Sequence, residues 1–277
     1  SLIEESNQIQ IVVVDECHCV TTWGNTFRDA YLSIGKHIDA LQHRPVIVAL
    51  SATAIPEDRP RIMDLLSMRD AKVYEMSLYR SNLCFMKKHI SGSTNRWKVL
   101  RKTLKKYHQN TTIVFCNTIE TAEYIAKYLK NHYPKDVAVY HSKSKKHEQE
   151  MLSGKKHIIV ATSALSMGVD VPNVDLVIHF NMPLSAADYY QMAGRAGREG
   201  QYARSILFYN QADYRRNDEL FKDIQDNAVR KHMRKQLETM KEICEDEEHC
   251  IVNMLLNALG EPYEKNCRYC TNCQKGR

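Results

Sequence analysis

The sequence predicts an α/β protein built on parallel sheets, and three observations carry that prediction. Short apolar runs alternate with helix-patterned segments over roughly the first 210 residues. Most of the runs are apolar on both faces, as in sheets covered from two sides. Polar residues capable of chemistry follow several runs, at the strand ends where parallel sheets place their ligand sites.

The first run, Ile9–Asp15, drives Val12, Val13 and Val14 into two adjacent acids, Asp15 and Glu16. The valines are expected in the sheet interior and the acids where a ligand can sit. Further strands are expected at Val46–Leu50, Thr112–Cys116, Val137–His141, His157–Thr162, Leu176–Phe180 and Ser205–Tyr209. Helical spacing falls between them at Arg96–Lys106, Thr121–Lys130 and Ala186–Ala193. Residues 75–92 interrupt the alternation and read as a connector. Past Tyr209 the strand signals stop, and a charged, helix-favouring stretch leads into a compact cysteine-rich tail. The chain therefore divides into an α/β unit over 1–78, a linker over 79–92, a second α/β unit over 93–211 and a small helical module over 212–277.

Bulk composition narrows the function classes. The 277 residues are 43% hydrophobic and 26% charged, with a formal net charge of +6, which permits a nucleic-acid partner without requiring one. No apolar run is long enough to cross a bilayer and the first ten residues do not read as a signal peptide, so an intracellular, soluble protein is expected. Nine cysteines without such a signal argue against a disulfide framework. Five of them, Cys244, Cys250, Cys267, Cys270 and Cys273, crowd the tail. Three thiols at x2 spacing plus one from the preceding helix suit tetrahedral zinc, with Cys244 and His249 as spare ligands. Cys17-His18-Cys19 does not suit a metal, because alternating neighbours point apart.

An acid pair at a strand end is what an NTPase places beside its phosphates, one acid for Mg²⁺ and one for the attacking water. Alone, Asp15-Glu16 is a weak signal that a solvated loop explains better. The second element is "QMAGRAGREG" at 191–200, where Arg195 and Arg198 offer two guanidinium forks on one face of a turn. These read either as solvated surface arginines or as fingers for a polyphosphate held between lobes. Trp23, Phe27 and Tyr31 recur at four-residue intervals around Arg28; on spacing alone a packed helix face explains them better than a stacking surface for bases.

The ordered set "DECH" (15–18), "SATA" (51–54), "IVFCNT" (113–118), "ATSALSMGVDVPNVD" (161–175) and "QMAGRAGR" (191–198) resembles the motor of superfamily 2 helicases. Within that superfamily, "CHCVTTWGNTFRDAYLSIG" and the Cys250-x16-Cys267-x2-Cys270-x2-Cys273 tail are similar to the RecQ family. The resemblance implies two RecA-like lobes, the first truncated, followed by a zinc module, and a 3′–5′ DNA helicase driven by ATP and Mg²⁺ with Zn²⁺ in the tail. It also implies roles by position. Asp15 and Glu16 would handle Mg²⁺ and water; His18 would bridge towards Ser51, Thr53 or Gln191. Gly168, Asp170, Arg195 and Arg198 would serve the nucleotide. Trp23, Phe27, Arg28, Ser51, Thr53, Asn117, Thr162 and Ser163 would contact DNA or couple it to ATP. The aromatic loop departs from the family pattern at Thr22, Asn25 and Thr26.

DNA, both single-stranded and at duplex junctions, is the implied partner, with a nucleoid or nuclear location and no membrane. The sequence contains no G-x-x-x-x-G-K-[ST] phosphate loop, so the chain is expected to open inside the first lobe and to be inactive as an ATPase alone. Two other readings remain: a non-enzymatic, zinc-stapled DNA-binding remnant of a helicase, and another superfamily 2 translocase.

Overall fold

The computed structural model describes residues 9–19, 33–91, 93–133, 136–144, 148–166 and 169–275, with the side chains of 93–95 left aside. Two parallel sheets organise them. Strands β1 (Ile11–Val14) and β2 (Val46–Ala49) pair in parallel, Ile11 opposite Val46 through Val14 opposite Ala49. The short helix α1 (Arg59–Leu65) packs Ile62, with Leu66 just beyond it, against Val14 and Cys17 to give this unit its small core. Its sheet is less enclosed than the sequence suggests: Ile11 and Val13 are 59% and 57% exposed, so alternate side chains of β1 lie open. With period-2 geometry, only the face carrying Val14 meets a partner among the described residues.

The second sheet has six parallel strands in the order β3-β8-β7-β4-β6-β5. They are β3 (Leu83–His89), β4 (Thr111–Phe115), β5 (Val137–Tyr140), β6 (Ile158–Ala161), β7 (Val174–His179) and β8 (Ala203–Tyr209). β4 through β7 are buried at every position, which explains their predominantly apolar runs. Helices α2 (Ser93–Tyr107) and α3 (Ile119–Lys130) cover one face, setting Leu100, Leu104, Ile125 and Leu129 against Val114, Val160 and Phe208. Thr118 caps α3 by accepting the Thr121 amide.

β3 corrects the sequence reading, which placed a linker there. Its LCFMKKH sequence lacks strand alternation because its two ends meet different surroundings, buried at Leu83–Phe85 and open at Lys88 and His89. It pairs with β8 from Leu83–Ala203 to His89–Tyr209, and its Lys87 amide donates to Thr271 Oγ1 of the C-terminal segment. An edge strand is thus covered by the tail.

The other sheet face carries α4 (Glu148–Leu152), α5 (Ala186–Ala193) and the C-terminal module: α6 (Gln211–Glu219), α7 (Asn227–Glu245), α8 (Ile251–Ala258) and α9 (Thr271–Lys275). Leu237, Met240, Ile243, Val252, Leu255 and Leu256 join Phe85, Phe115, Tyr189 and Leu207 in one continuous core. Two polar anchors fix the module. Asp213 completes a capping box with Asn210 at the start of α6 and accepts both Arg96 nitrogens, at 3.1 and 2.7 Å, with both side chains buried. The Lys87 ammonium donates to the Ile243 carbonyl at 2.8 Å and to that of Asp246, satisfying the last turn of α7.

Candidate functional site: the cleft between the two sheets

β1 ends in a tight turn. Glu16 takes φ +49°, a left-handed conformation that is rare for a non-glycine residue and concentrates at functional positions. Its amide donates to Asp15 Oδ1 at 2.8 Å, and the Cys17 amide donates to the Leu50 carbonyl at the end of β2. Both acids are thereby held at the carboxyl end of the two-stranded sheet, Asp15 exposed and Glu16 half-buried.

Across the cleft, Gln191 on α5 donates its Nε2 to Glu16 Oε1 at 3.0 Å. His18, 6% exposed, places Nδ1 2.9 Å from Ser51 Oγ and 3.3 Å from Glu16 Oε2. Ser51 Oγ also accepts the Thr53 amide at 3.1 Å. One hydrogen-bonded patch thus joins "DECH", "SATA" and the start of "QMAGRAGR". Burial lowers the His18 pKa, opposed by Glu16, Asp188 and Asp58. Asp188, capped by Ser185, has its carboxyl raised by burial and faces the same space. Burial pushes the Cys17 and Cys19 thiols up to about 11, which favours the protonated form of both.

The arginine turn is built by Gly197 at φ +66°, where a Cβ would meet Asn82 Nδ2 at 2.7 Å and the Gln201 carbonyl at 2.9 Å. Asn82 donates to the Gly197 carbonyl at 2.8 Å and Arg80 donates to the carbonyls of Gly194, Ala196 and Gly197. These two residues of the expected linker hold the turn in place, and no motif spacing pointed to them.

The two arginines separate. Arg195 is 7% exposed and turns inward, donating to the carbonyls of Val169 and Ser166. Burial lowers its pKa to about 10, still charged at neutral pH. The expected reach of Arg195 towards a phosphate is therefore not made in this conformation; it ties down the loop before Asp170. Arg198 is open, 2.7 Å from an exposed Asp170. An ion pair this exposed is worth about 0–1 kcal/mol and is readily displaced by a better anion.

Other expected residues scatter. Asn117 donates inward to the Met182 carbonyl and Asn217 Oδ1 at 3.0 and 2.9 Å, a tether between α3's start and α6. Thr53 and Thr162 are buried, whereas Ser163 is exposed at the end of β6. Trp23, Phe27, Arg28 and Gly168 lie outside the described residues, as do Thr22, Asn25, Thr26 and Tyr31.

The second site is the cysteine cluster. Cys250 sits at the N-cap of α8, Cys273 on α9, and Cys267 and Cys270 on the turn between, which Arg268 closes at φ +68°. All four sulfurs lie within 4.8 Å of one another. A zinc–sulfur distance of about 2.3 Å requires sulfurs about 3.8 Å apart, so the set fits tetrahedral Zn²⁺. Amides of Cys267 and Cys270 donate to Cys250 and Cys267 sulfurs at 3.3 Å, and thiol donors to Cys250 lower its pKa, favouring thiolate there. Cys244 is buried in the core with its thiol raised, and His249 is exposed and paired with Asp246, so neither spare ligand joins.

Three family models match in chain order: DEAD/DEAH box helicase over residues 1–61, helicase conserved C-terminal domain over 95–200 and RecQ zinc-binding over 211–274. The ATP-dependent DNA helicase RecQ of Bacillus subtilis is 30% identical over 97% of this chain and 46% of its own length. The ATP-dependent DNA helicase hus2/rqh1 of Schizosaccharomyces pombe is 32% identical over 96% of this chain and 20% of its own. The chain therefore spans less than half of either relative. The structure of S. cerevisiae Dbp5 bound to RNA and ADP BeF3 superposes with a TM-score of 0.63 at 20% identity, covering 83% of this chain and 64% of that one, a likeness of fold.

Proposed function

From a chain that is a RecQ-type member of superfamily 2, we propose that these residues act in an ATP-dependent 3′–5′ DNA helicase, with ATP and Mg²⁺ at the cleft between the sheets. The observation that carries this reading is the Gln191–Glu16 hydrogen bond, which sets the acid pair of one sheet against the helix that leads into the arginine turn, where Arg198 is held only by an exposed Asp170. In this reading Asp15 orients Mg²⁺ and Glu16 the hydrolytic water, and Arg198 leaves Asp170 for the γ-phosphate. His18, bonded to Ser51, relays the state of Glu16 to the strand end of β2. Zinc would be held by Cys250, Cys267, Cys270 and Cys273, where it supplies a fixed tetrahedral node for the module.

The test is a graft of these residues in place of the matching stretch of the B. subtilis relative. The graft is expected to show DNA-stimulated ATP hydrolysis and to unwind 3′-tailed but not 5′-tailed duplex. Arg198→Ala in the graft is expected to lower kcat by at least about 100-fold. Hydrolysis that survives Arg198→Ala undiminished overturns the role of the cleft.

A second reading is favoured by one observation, the lack of any G-x-x-x-x-G-K-[ST] in the 277 residues. Without such amides and lysine, β- and γ-phosphates are held weakly. The 277-residue chain alone is accordingly proposed to bind DNA without hydrolysing ATP. A DNA-stimulated turnover near 1–100 s⁻¹, the ordinary range for phosphoryl transfer, would remove this reading.

A further inference from the structure

Helix α2 carries a feature that the cleft does not use. Its sequence, STNRWKVLRKTLKKY, holds six cations and no acid. Arg96 is consumed by the buried pair with Asp213. The other five, Lys98, Arg101, Lys102, Lys105 and Lys106, are all exposed, while Leu100, Thr103 and Leu104 face the sheet. Among the described residues none of the five has an acidic partner.

This arrangement works against the helix. Lys98–Lys102, Arg101–Lys105 and Lys102–Lys106 are like charges one turn apart, each destabilising by a few tenths of a kcal/mol. Only Lys105 and Lys106, in the last turn, gain from the helix dipole. A solvated face would intersperse acids, as α3 does with Glu120, Glu123, Lys127 and Lys130. From Lys98 to Lys105 the stripe runs about 10 Å along the axis.

The stripe continues past the helix end. Lys106 Nζ lies 4.9 Å from the Tyr107 ring centroid, and the Arg204 guanidinium lies 5.1 Å from Tyr107 and 4.6 Å from Tyr202. Tyr202 is 51% exposed. Cations therefore interleave with aromatic rings, one of them open, at the start of β8. That is the end of the sheet opposite the strand ends from which Glu16's partner helix departs.

We infer that α2 and the Tyr107–Arg204–Tyr202 stack form a second binding surface for single-stranded nucleic acid, on the outer face of the six-stranded sheet and away from the cleft. The unpaired stripe takes the phosphates, and the open ring of Tyr202 takes an unpaired base. A duplex hides its base faces and leaves Tyr202 nothing to stack on, so the ring selects single strands. The inference rests on charge and stacking alone and stands whether or not the cleft is a motor.

The experiment measures binding of a fluorescent 20-mer oligo(dT) to the 277-residue chain across a salt series. Lys98→Gln, Arg101→Gln, Lys102→Gln and Lys105→Gln are combined in one variant. Counter-ion release predicts that the slope of log K against log salt shrinks by about 2–3 for four lost phosphate contacts. Tyr202→Ala is expected to weaken the oligo(dT) complex about five- to a hundredfold and a blunt duplex hardly at all. Arg198→Ala, in the cleft, should leave the stripe's share of the slope intact, which separates this result from failure of the helicase reading.

An unchanged slope in the fourfold variant identifies a merely solvated face and overturns the inference. Retained DNA binding with lost binding of a polyglutamate probe assigns the stripe to an acidic protein and equally overturns it. Should the variant misfold, acetylation footprinting of the unaltered chain decides: oligo(dT) must protect Lys98, Lys102 and Lys105.

Discussion

The C-terminal module meets the six-stranded sheet through Phe85, Tyr189, Leu237, Met240 and Leu255, a joint that is buried, apolar and continuous. The unit that bears β1 and β2 meets the same body mainly through polar tips, Glu16 with Gln191, Glu57 with Lys235 at 3.1 Å and Asp58 with His232 at 3.7 Å, beside a smaller apolar contact at Ile55. The Pro56 ring also lies close against Gly260, where a Cβ would strike its Cδ at 2.1 Å. Apolar area removed from water gives the first joint its strength and makes separation costly. Exposed polar pairs exchange with water at little net cost, so the second joint can open and reclose. Glu261 belongs to neither alone: it accepts from Ser77 Oγ and the Leu78 amide, both at 2.6 Å, and ties the connector to the module.

The largest expected effect breaks the fixed joint at its metal node. Cys270→Ser removes a buried sulfur from the cluster, and chelation would remove the zinc that the four sulfurs are fitted to hold. Loss of a structural metal should lower unfolding stability by more than about 4 kcal/mol, read as a drop in the melting temperature and early hydrogen exchange of α8 and α9. Exchange at the Cys17 amide should stay as it was. Equal loosening of both units would erase the distinction drawn between the joints.

Next comes Asp213→Ala, which strands the Arg96 guanidinium against the Phe180 carbonyl with no carboxylate. Leaving a buried charge without its partner costs about 3–5 kcal/mol, and urea midpoints should register it. Arg195→Ala is expected to cost less, about 2–3 kcal/mol, because its charged hydrogen bonds end on two carbonyls. Arg198→Ala, by contrast, should stay within about 0.5 kcal/mol, as befits an exposed side chain. Similar losses for both arginines would contradict their opposite burial.

A pH series sharpens the comparison further. His179 is buried beneath Tyr189, stacked on Phe115, with burial pushing its pKa down to about 3. The unfolded chain binds a proton near pH 6.5 that the folded chain refuses until about pH 3. Stability contributed by the neutral ring is therefore intact above pH 6.5 and is lost as pH falls, by up to about 1.4 kcal/mol per unit in that window. His179→Leu should flatten this slope in urea titrations run at pH 7 and pH 5. A small stability effect is likewise expected for Gln191→Ala, below about 1 kcal/mol, although it cuts the side-chain hydrogen bond between Glu16 and α5. A large destabilisation would mean that the polar joint is fixed after all.

Most of the second sheet was legible because its strands are buried on both faces, and complete burial writes itself as largely apolar runs such as "VAVY" and "IIVA". β3 was not, since an edge strand capped by the tail need not alternate or stay apolar. The openness of Ile11 and Val13 was not legible either: a run of valines states preference for burial and is silent on what covers it. Within the site, adjacency along the chain announced Asp15 and Glu16 and the four tail cysteines. It could not announce Arg80, Asn82 or Glu261, whose partners lie more than a hundred residues away.

By itself, then, the sequence determined the strand and helix alternation, the motif order, the zinc-ligand spacing and the unbalanced charge of α2, because each is a property of neighbours along the chain. Only the tertiary structure decided which of two equivalent arginines faces outward, which sheet face the module covers and which polar pairs span the cleft. Those depend on burial and on contacts between distant segments, and local order carries no record of either.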